Sequence, residues 1–134
     1  MKLLEAIRKK LLADAVANQT TWKCYIGYTP DDQDRVLSLT LTGGYPRDTL
    51  GGENLLPTFQ VTVRAGYLER AQCETKWWEV FTSLQEGDPA VSGDGDLSEA
   101  GVILIEPQNT GPLEWLDAKN RCNMSLNYRV VMSK

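Results

Sequence analysis

The chain has 134 residues, which is enough for one domain with its own core and too few for two. Its formal net charge is −4, so it starts at a disadvantage as a nucleic-acid binder, because that affinity rests on neutralising phosphates. It contains no histidine, which removes Ser-His-Asp triads, Cys-His dyads, histidine-ligated zinc and imidazole bases together.

Three cysteines, Cys24, Cys73 and Cys122, are odd in number and form no CxxC pair. They read as reduced, buried thiols of a protein made in a reducing compartment. Glu5 and Lys9-Lys10 interrupt the N-terminal apolar residues, so a secretory leader is not expected. No apolar run approaches the roughly 18 residues that a membrane span needs. A soluble protein without a membrane partner is expected.

Residues 2–17 place Leu3, Leu4, Ile7, Leu11, Leu12 and Ala15 at helical spacing, with Asn18 as a stop. Within it, Arg8-Lys9-Lys10 reads as a solvated face. Residues 21–28 are aromatic and β-branched and end at Thr29-Pro30-Asp31-Asp32, a strand and a turn. Residues 36–42 alternate, with Leu37, Leu39 and Leu41 on one face, as in a half-buried antiparallel strand. Residues 43–56 carry four glycines and no periodicity, and read as a long loop.

Residues 57–64 alternate again, with Phe59, Val61 and Val63 facing one way. Residues 67–85 form a second helix whose stripe runs through Leu68, Ala71, Thr75, Trp78, Phe81 and Leu84, widened by Trp77 and Val80. Adjacent tryptophans on a helix point in different directions, so one belongs to the core and the other to a rim or interface. Residues 86–100 form a strongly acidic loop, and residues 101–105 are a continuous apolar run expected to be a fully buried strand. After a turn at 107–112 and a short element of undetermined type at 113–116, residues 121–132 alternate as a closing strand. The expected class is α+β: a mainly antiparallel β-sheet with two amphipathic helices packed on one face, in a single domain over 1–134.

The search for chemistry returns little. Gly51-Gly52 is followed by Glu53, and no phosphate-cradling glycine motif occurs. Asp31-Asp32-Gln33-Asp34 and Asp94-Gly95-Asp96 fall short of the six-oxygen spacing of a calcium loop, and read as solvated turns. Trp22-Lys23 and Lys76-Trp77-Trp78 set cations beside rings, but the helical spacing of the second group favours core packing over base stacking. No catalytic residue, metal or cofactor is expected.

Four stretches, in order, resemble the tail-terminator (minor capsid, tail-completion) proteins of long-tailed bacteriophages. They are the opening helix with the aromatic strand ending Gly27-Tyr28-Thr29-Pro30-Asp31-Asp32, then Leu39-Thr40-Leu41-Thr42-Gly43-Gly44-Tyr45-Pro46. The third is Pro57-Thr58-Phe59-Gln60-Val61-Thr62-Val63-Arg64-Ala65 with the helix after it, and the last runs from Ile105 to Pro112 and on to Asn127-Tyr128-Arg129-Val130. The resemblance implies a non-enzymatic virion protein, assembled in the host cytoplasm and placed at the head–tail interface. It implies a homohexameric ring whose partners are its own copies, the tail-tube protein and the head-completion or connector protein. DNA would pass through the lumen without sequence-specific contacts.

A closed ring needs a head-to-tail interface. Candidate interface residues are Leu4, Ile7 and Leu11 on the first helix, Arg47, Trp77, Trp78, the acidic Asp94 and Asp96, and Arg129. Two other readings remain open at this point. One is a ferredoxin-like ligand-binding or regulatory domain with a pocket near Tyr25, Tyr28 and the Trp77/Trp78 pair. The other is a metal-assisted hydrolase working through the acidic loops.

Overall fold

A computed structural model of the chain describes residues 3–45, 54–85 and 95–133. In chain order the elements are α1 (Leu3–Ala13), β1 (Lys23–Ile26), β2 (Val36–Tyr45), β3 (Asn54–Ala65), α2 (Arg70–Gln85), α3 (Gly95–Glu99), β4 (Val102–Pro107), β5 (Leu113–Leu116) and β6 (Cys122–Ser133). All strands join one sheet in the order β1-β2-β3-β6-β4, and β5 also pairs with β6. Every pairing is antiparallel except β1 with β2. The class is α+β.

The alternating strands meet in register, so one sheet face becomes the core. Leu37 lies opposite Val63, which lies opposite Met124, and Leu39, Val61 and Leu126 form the next row. Phe59 and Tyr128 follow, their rings stacked with centroids 5.0 Å apart. All eight of these side chains are buried in one apolar cluster, to which α1 and α2 add Leu4, Ile7, Leu11, Cys73, Trp77 and Val80. Leu97 of α3 completes that cover.

Five points refine or correct the expectations. First, the mainly antiparallel sheet holds one parallel pair, β1 with β2, because residues 27–35 carry the chain back to the start of β1 before β2 begins. With β1 only four residues long, a nine-residue crossover easily spans the return distance. Second, the expected loop at 43–56 is shorter: Gly44 pairs with Pro57 and Tyr45 with Leu56, past a register shift after Leu41. Gly44 has φ +155°, and a Cβ there would come within 2.7 Å of the Leu56 carbonyl, so only glycine fits the irregularity. Leu41, at the same shift, is exposed rather than buried. Residues 46–53 lie outside the described residues.

Third, the buried stripe of α2 is Cys73, Lys76, Trp77, Val80, Ser83 and Leu84, while Ala71, Thr75 and Trp78 are exposed and Phe81 is half-buried. Leu68 is not helical; it sits before the helix in a left-handed turn (φ +63°), 84% exposed. Counting it in set the stripe about one residue away from its true centre. Fourth, β4 is not fully buried: Val102 and Ile105 face the core, but Ile103 and Leu104 are exposed around a register shift. Fifth, α1 stops at Ala13, before Asn18, with Ala15 in a left-handed conformation and the Val16 and Ala17 amides donating back to the Leu11 carbonyl. Asn18 instead organises the next turn, its Oδ1 accepting from the amides of Thr20, Thr21 and Trp22.

Candidate functional site

The crossover of residues 27–35 is clamped by two buried arginines. Arg64 donates to the carbonyls of Pro30 and Gln33, and Arg121 donates to the Asp31 carbonyl at 2.9 Å and to its carboxylate at 2.9 Å. Asp117 accepts from the Arg121 side chain at 2.8 Å and from the backbone amides of Lys119 and Arg121. Burial pushes the Asp117 carboxyl up, yet these hydrogen bonds outweigh it and bring it down to about 2. Arg64 is thus a structural strap rather than a surface charge. Asp31, one of the acids examined as a cation ligand, is committed to Lys119 and Arg121. Among the described residues no group of three His, Cys, Asp or Glu gathers as a metal site.

On the other side of β6 lies the apolar edge of the sheet. β5 pairs with residues 122–125 of β6, and β4 with residues 128–132. Arg70 on α2 grips Glu114 of β5 through two hydrogen bonds, at 2.6 and 3.1 Å, and holds that carboxyl below its ordinary value. The turn before β5 is fixed by Asn109, which accepts from the Asn127 amide and donates to the Gly111 carbonyl. The strand is therefore firmly placed, yet all four of its residues are exposed. Leu113 is 63%, Leu116 64% and Trp115 41% exposed, and Ile103 and Leu104 of β4 are exposed farther along β6. This short edge strand carries one charge, Glu114, and three exposed apolar side chains, which makes it a candidate contact surface.

Two further features lie on the helical side. Trp78 is 41% exposed, edge-on to buried Trp77 with centroids 4.7 Å apart. It lines a shallow groove with Lys10, Asp14, Glu79 and Ser83. Beyond the other flank of α1, Arg8, Lys9 and Lys23 line a cleft of about 470 Å³ with Tyr25 and Tyr28, whose rings stand 5.3 Å apart. Cys24 lies in its wall, where burial pushes the thiol up to about 12 and disfavours the thiolate. Among the described residues the tyrosines line this cleft, Trp78 lines the separate groove and Trp77 is buried, so the two aromatic pairs are not brought to one pocket.

The expected interface residues scatter. Leu4, Ile7, Leu11 and Trp77 are corrected: all four are buried in the chain's own core and offer no surface to a neighbour. Trp78 is the exposed member of its pair. Arg129 is half-buried and paired with Glu106 across β4 and β6. Arg47 and Asp94 lie outside the described residues, as does the side chain of Asp96, whose backbone belongs to α3. The sequence reading missed β5, since four residues are too few to show a period. It also missed the cleft: Lys10 turns to Asp14 at 2.8 Å, while Arg8 and Lys9 of the same trio form no ion pair among the described residues.

A family model described as bacteriophage tail terminator protein matches residues 8–134. The chain belongs to the bacteriophage tail terminator family. No curated protein shows a match. The family is a structural one, so the chain has a structural role in the phage tail. The match runs through β5 and the arginine clamp and begins at Arg8, inside α1.

Proposed function

We propose that the chain assembles into a closed homohexameric ring that caps the finished tail tube, ends tube polymerisation and presents the surface to which the head connector docks. The ring would occupy the head–tail interface of the virion after assembly in the host cytoplasm, with DNA passing through its lumen. It acts by binding, and no catalytic step is assigned to any residue.

The observation that carries this reading is the β5 edge. In a member of a tail structural family, a strand locked by Arg70 and Asn109 nonetheless leaves Leu113, Trp115 and Leu116 in water. Fully burying a leucine side chain is worth about 1.5–3 kcal/mol, so a neighbour covering this edge recovers several kcal/mol per contact. A ring also needs a second, different surface on each copy. The Trp78 groove, with its exposed ring, is suited to face the tube or the connector.

The test is the mass in solution by light scattering, at low and high protein concentration, alone and with tail tubes. A hexamer, or a monomer that becomes one on tubes and halts their elongation, is the expected result. A monomer that never associates with tubes, whose addition leaves tube length unchanged, refutes the proposal.

A further inference from the structure

The cleft beside α1 holds a charge imbalance that the fold leaves unresolved. Arg8, Lys9 and Lys23 all line it, and none makes an ion pair or a side-chain hydrogen bond among the described residues. The other described cations are engaged, either by carboxylates, as Arg70 and Arg121 are, or by backbone carbonyls, as Arg64 is. Three unpaired cations in one concavity are unexpected in a chain whose net charge is −4. Tyr25 and Tyr28 add two phenol groups and an apolar wall. The site is shaped for a short polypeptide segment bearing several carboxylates.

The same chain carries such a segment. Residues 86–99 read EGDPAVSGDGDLSE, with Glu86, Asp88, Asp94, Asp96 and Glu99, and no lysine or arginine. We infer that the Arg8–Lys9–Lys23 cleft of one copy receives the acidic stretch ahead of buried Leu97, residues 86–96, of a second copy. This inference rests on the ring reading and gives it an electrostatic contact beside the apolar β5 edge. Cleft and segment are different surfaces of one chain, as a head-to-tail contact requires. Nucleic acid is the less suited occupant, because three cations neutralise few phosphates and the rest of the chain repels a polyanion. Such a contact steers encounter and fixes register more than it adds affinity.

The test compares the full chain with Lys9→Glu/Lys23→Glu, checked for native circular dichroism. Both side chains lie at or near the surface, so the fold should survive. Ring assembly should weaken by roughly tenfold or more, as expected for losing several exposed ion pairs. Adding Glu86→Lys/Asp88→Lys to that variant should restore assembly by inverting both partners. A fluorescent synthetic peptide of residues 86–96 should bind the unmutated chain, weakly at high salt. It should bind the Lys9→Glu/Lys23→Glu variant roughly tenfold less, and a peptide with Asn at 88, 94 and 96 should bind poorly to both.

Peptide binding without any ring would sink the ring reading while leaving the cleft assignment standing. Rings that form equally well with Lys9→Glu/Lys23→Glu overturn the inference and leave the ring intact. So does a variant that assembles normally but loses binding to a double-stranded DNA oligonucleotide, which would assign the cleft to phosphate. Failure of the peptide to bind, together with failure of the charge-inverted variant to recover, overturns it as well.

Discussion

Trp77 and Trp78 are neighbours in sequence and opposites in environment, so replacing each by alanine separates packing from composition. Trp77 is fully buried, stacks on Phe81 with centroids 5.6 Å apart, and donates its indole N–H to the Ser125 carbonyl at 2.8 Å. Emptying such a site costs about 3–5 kcal/mol in lost transfer energy and cavity. Losing the buried hydrogen bond raises the cost of Trp77→Ala to about 4–6 kcal/mol. That is a large share of the roughly 5–15 kcal/mol by which a domain is stable. Trp78 meets Trp77 and Phe81 in T-shaped contacts and is already partly in water. Its replacement should cost about 1–2 kcal/mol, chiefly the aromatic contacts.

Urea denaturation followed by circular dichroism measures both, provided the slope with denaturant is unchanged so that the midpoint reports stability alone. The Trp77→Ala midpoint should fall far below that of Trp78→Ala, and Trp77→Phe should lie between Trp77→Ala and the unmutated chain. Should Trp77→Ala cost less than about 2 kcal/mol, or should Trp78→Ala cost as much, the assignment of the core face of α2 is wrong.

Three more outcomes follow from the geometry. Arg121→Met removes the cation that ties Asp31 and Asp117 together. It should lower the unfolding midpoint, because the buried Arg121 side chain loses its carboxylate and carbonyl partners although Asp31 itself is exposed, and should make the 27–35 crossover an early site of limited proteolysis. Because the folded Asp117 carboxyl is brought down to about 2 from an ordinary 3.8, its contribution is complete above about pH 4 and is lost as pH falls towards 2. Asp117→Asn should flatten the acid limb of the stability–pH curve by about 1 kcal/mol after solvent screening, and an unchanged curve would contradict the clamp. Finally, Leu113→Asn with Leu116→Asn should weaken subunit association by about 2–4 kcal/mol, roughly 30-fold to 1,000-fold, while leaving monomer stability within about 0.5 kcal/mol. Sedimentation at several concentrations, with a melting curve, distinguishes these two effects.

The fold was legible wherever a side-chain period was long enough to be read. Residues 57–64 and 121–132 alternate, and they became the paired central strands of the sheet with Val61 opposite Leu126. The contrast between the two tryptophans also follows from helical geometry alone, although which one is buried does not. Legibility failed where backbone rather than side chains decides. The β2–β3 ladder continues through glycines that carry no pattern, and the parallel β1 depends on a crossover held by two arginines distant in sequence, Arg64 on β3 and Arg121 just before β6.

The candidate site was less legible than the fold. An apolar stripe such as Leu4, Ile7 and Leu11 looks the same whether it covers its own sheet or a neighbour's, and here it covers its own. The exposed Leu113, Trp115 and Leu116 are too few to show a pattern. The unpaired state of Arg8, Lys9 and Lys23 emerges only when the partners of the other cations are known.

The position of β6 in the sheet bears on how the chain is made. The strand spelled by residues 122–133 is central, bordered by β3 on one side and by β4 and β5 on the other. On the ribosome, β3 is synthesised long before its partner, and its inner edge waits unpaired until almost the whole of this sequence has emerged. Contacts so distant along the chain form slowly. The apolar β5 edge is likewise made before the strand that anchors it, so a half-made chain has no fixed surface to offer a neighbour. The same twelve residues of β6 thus close the sheet and fix the β5 edge together.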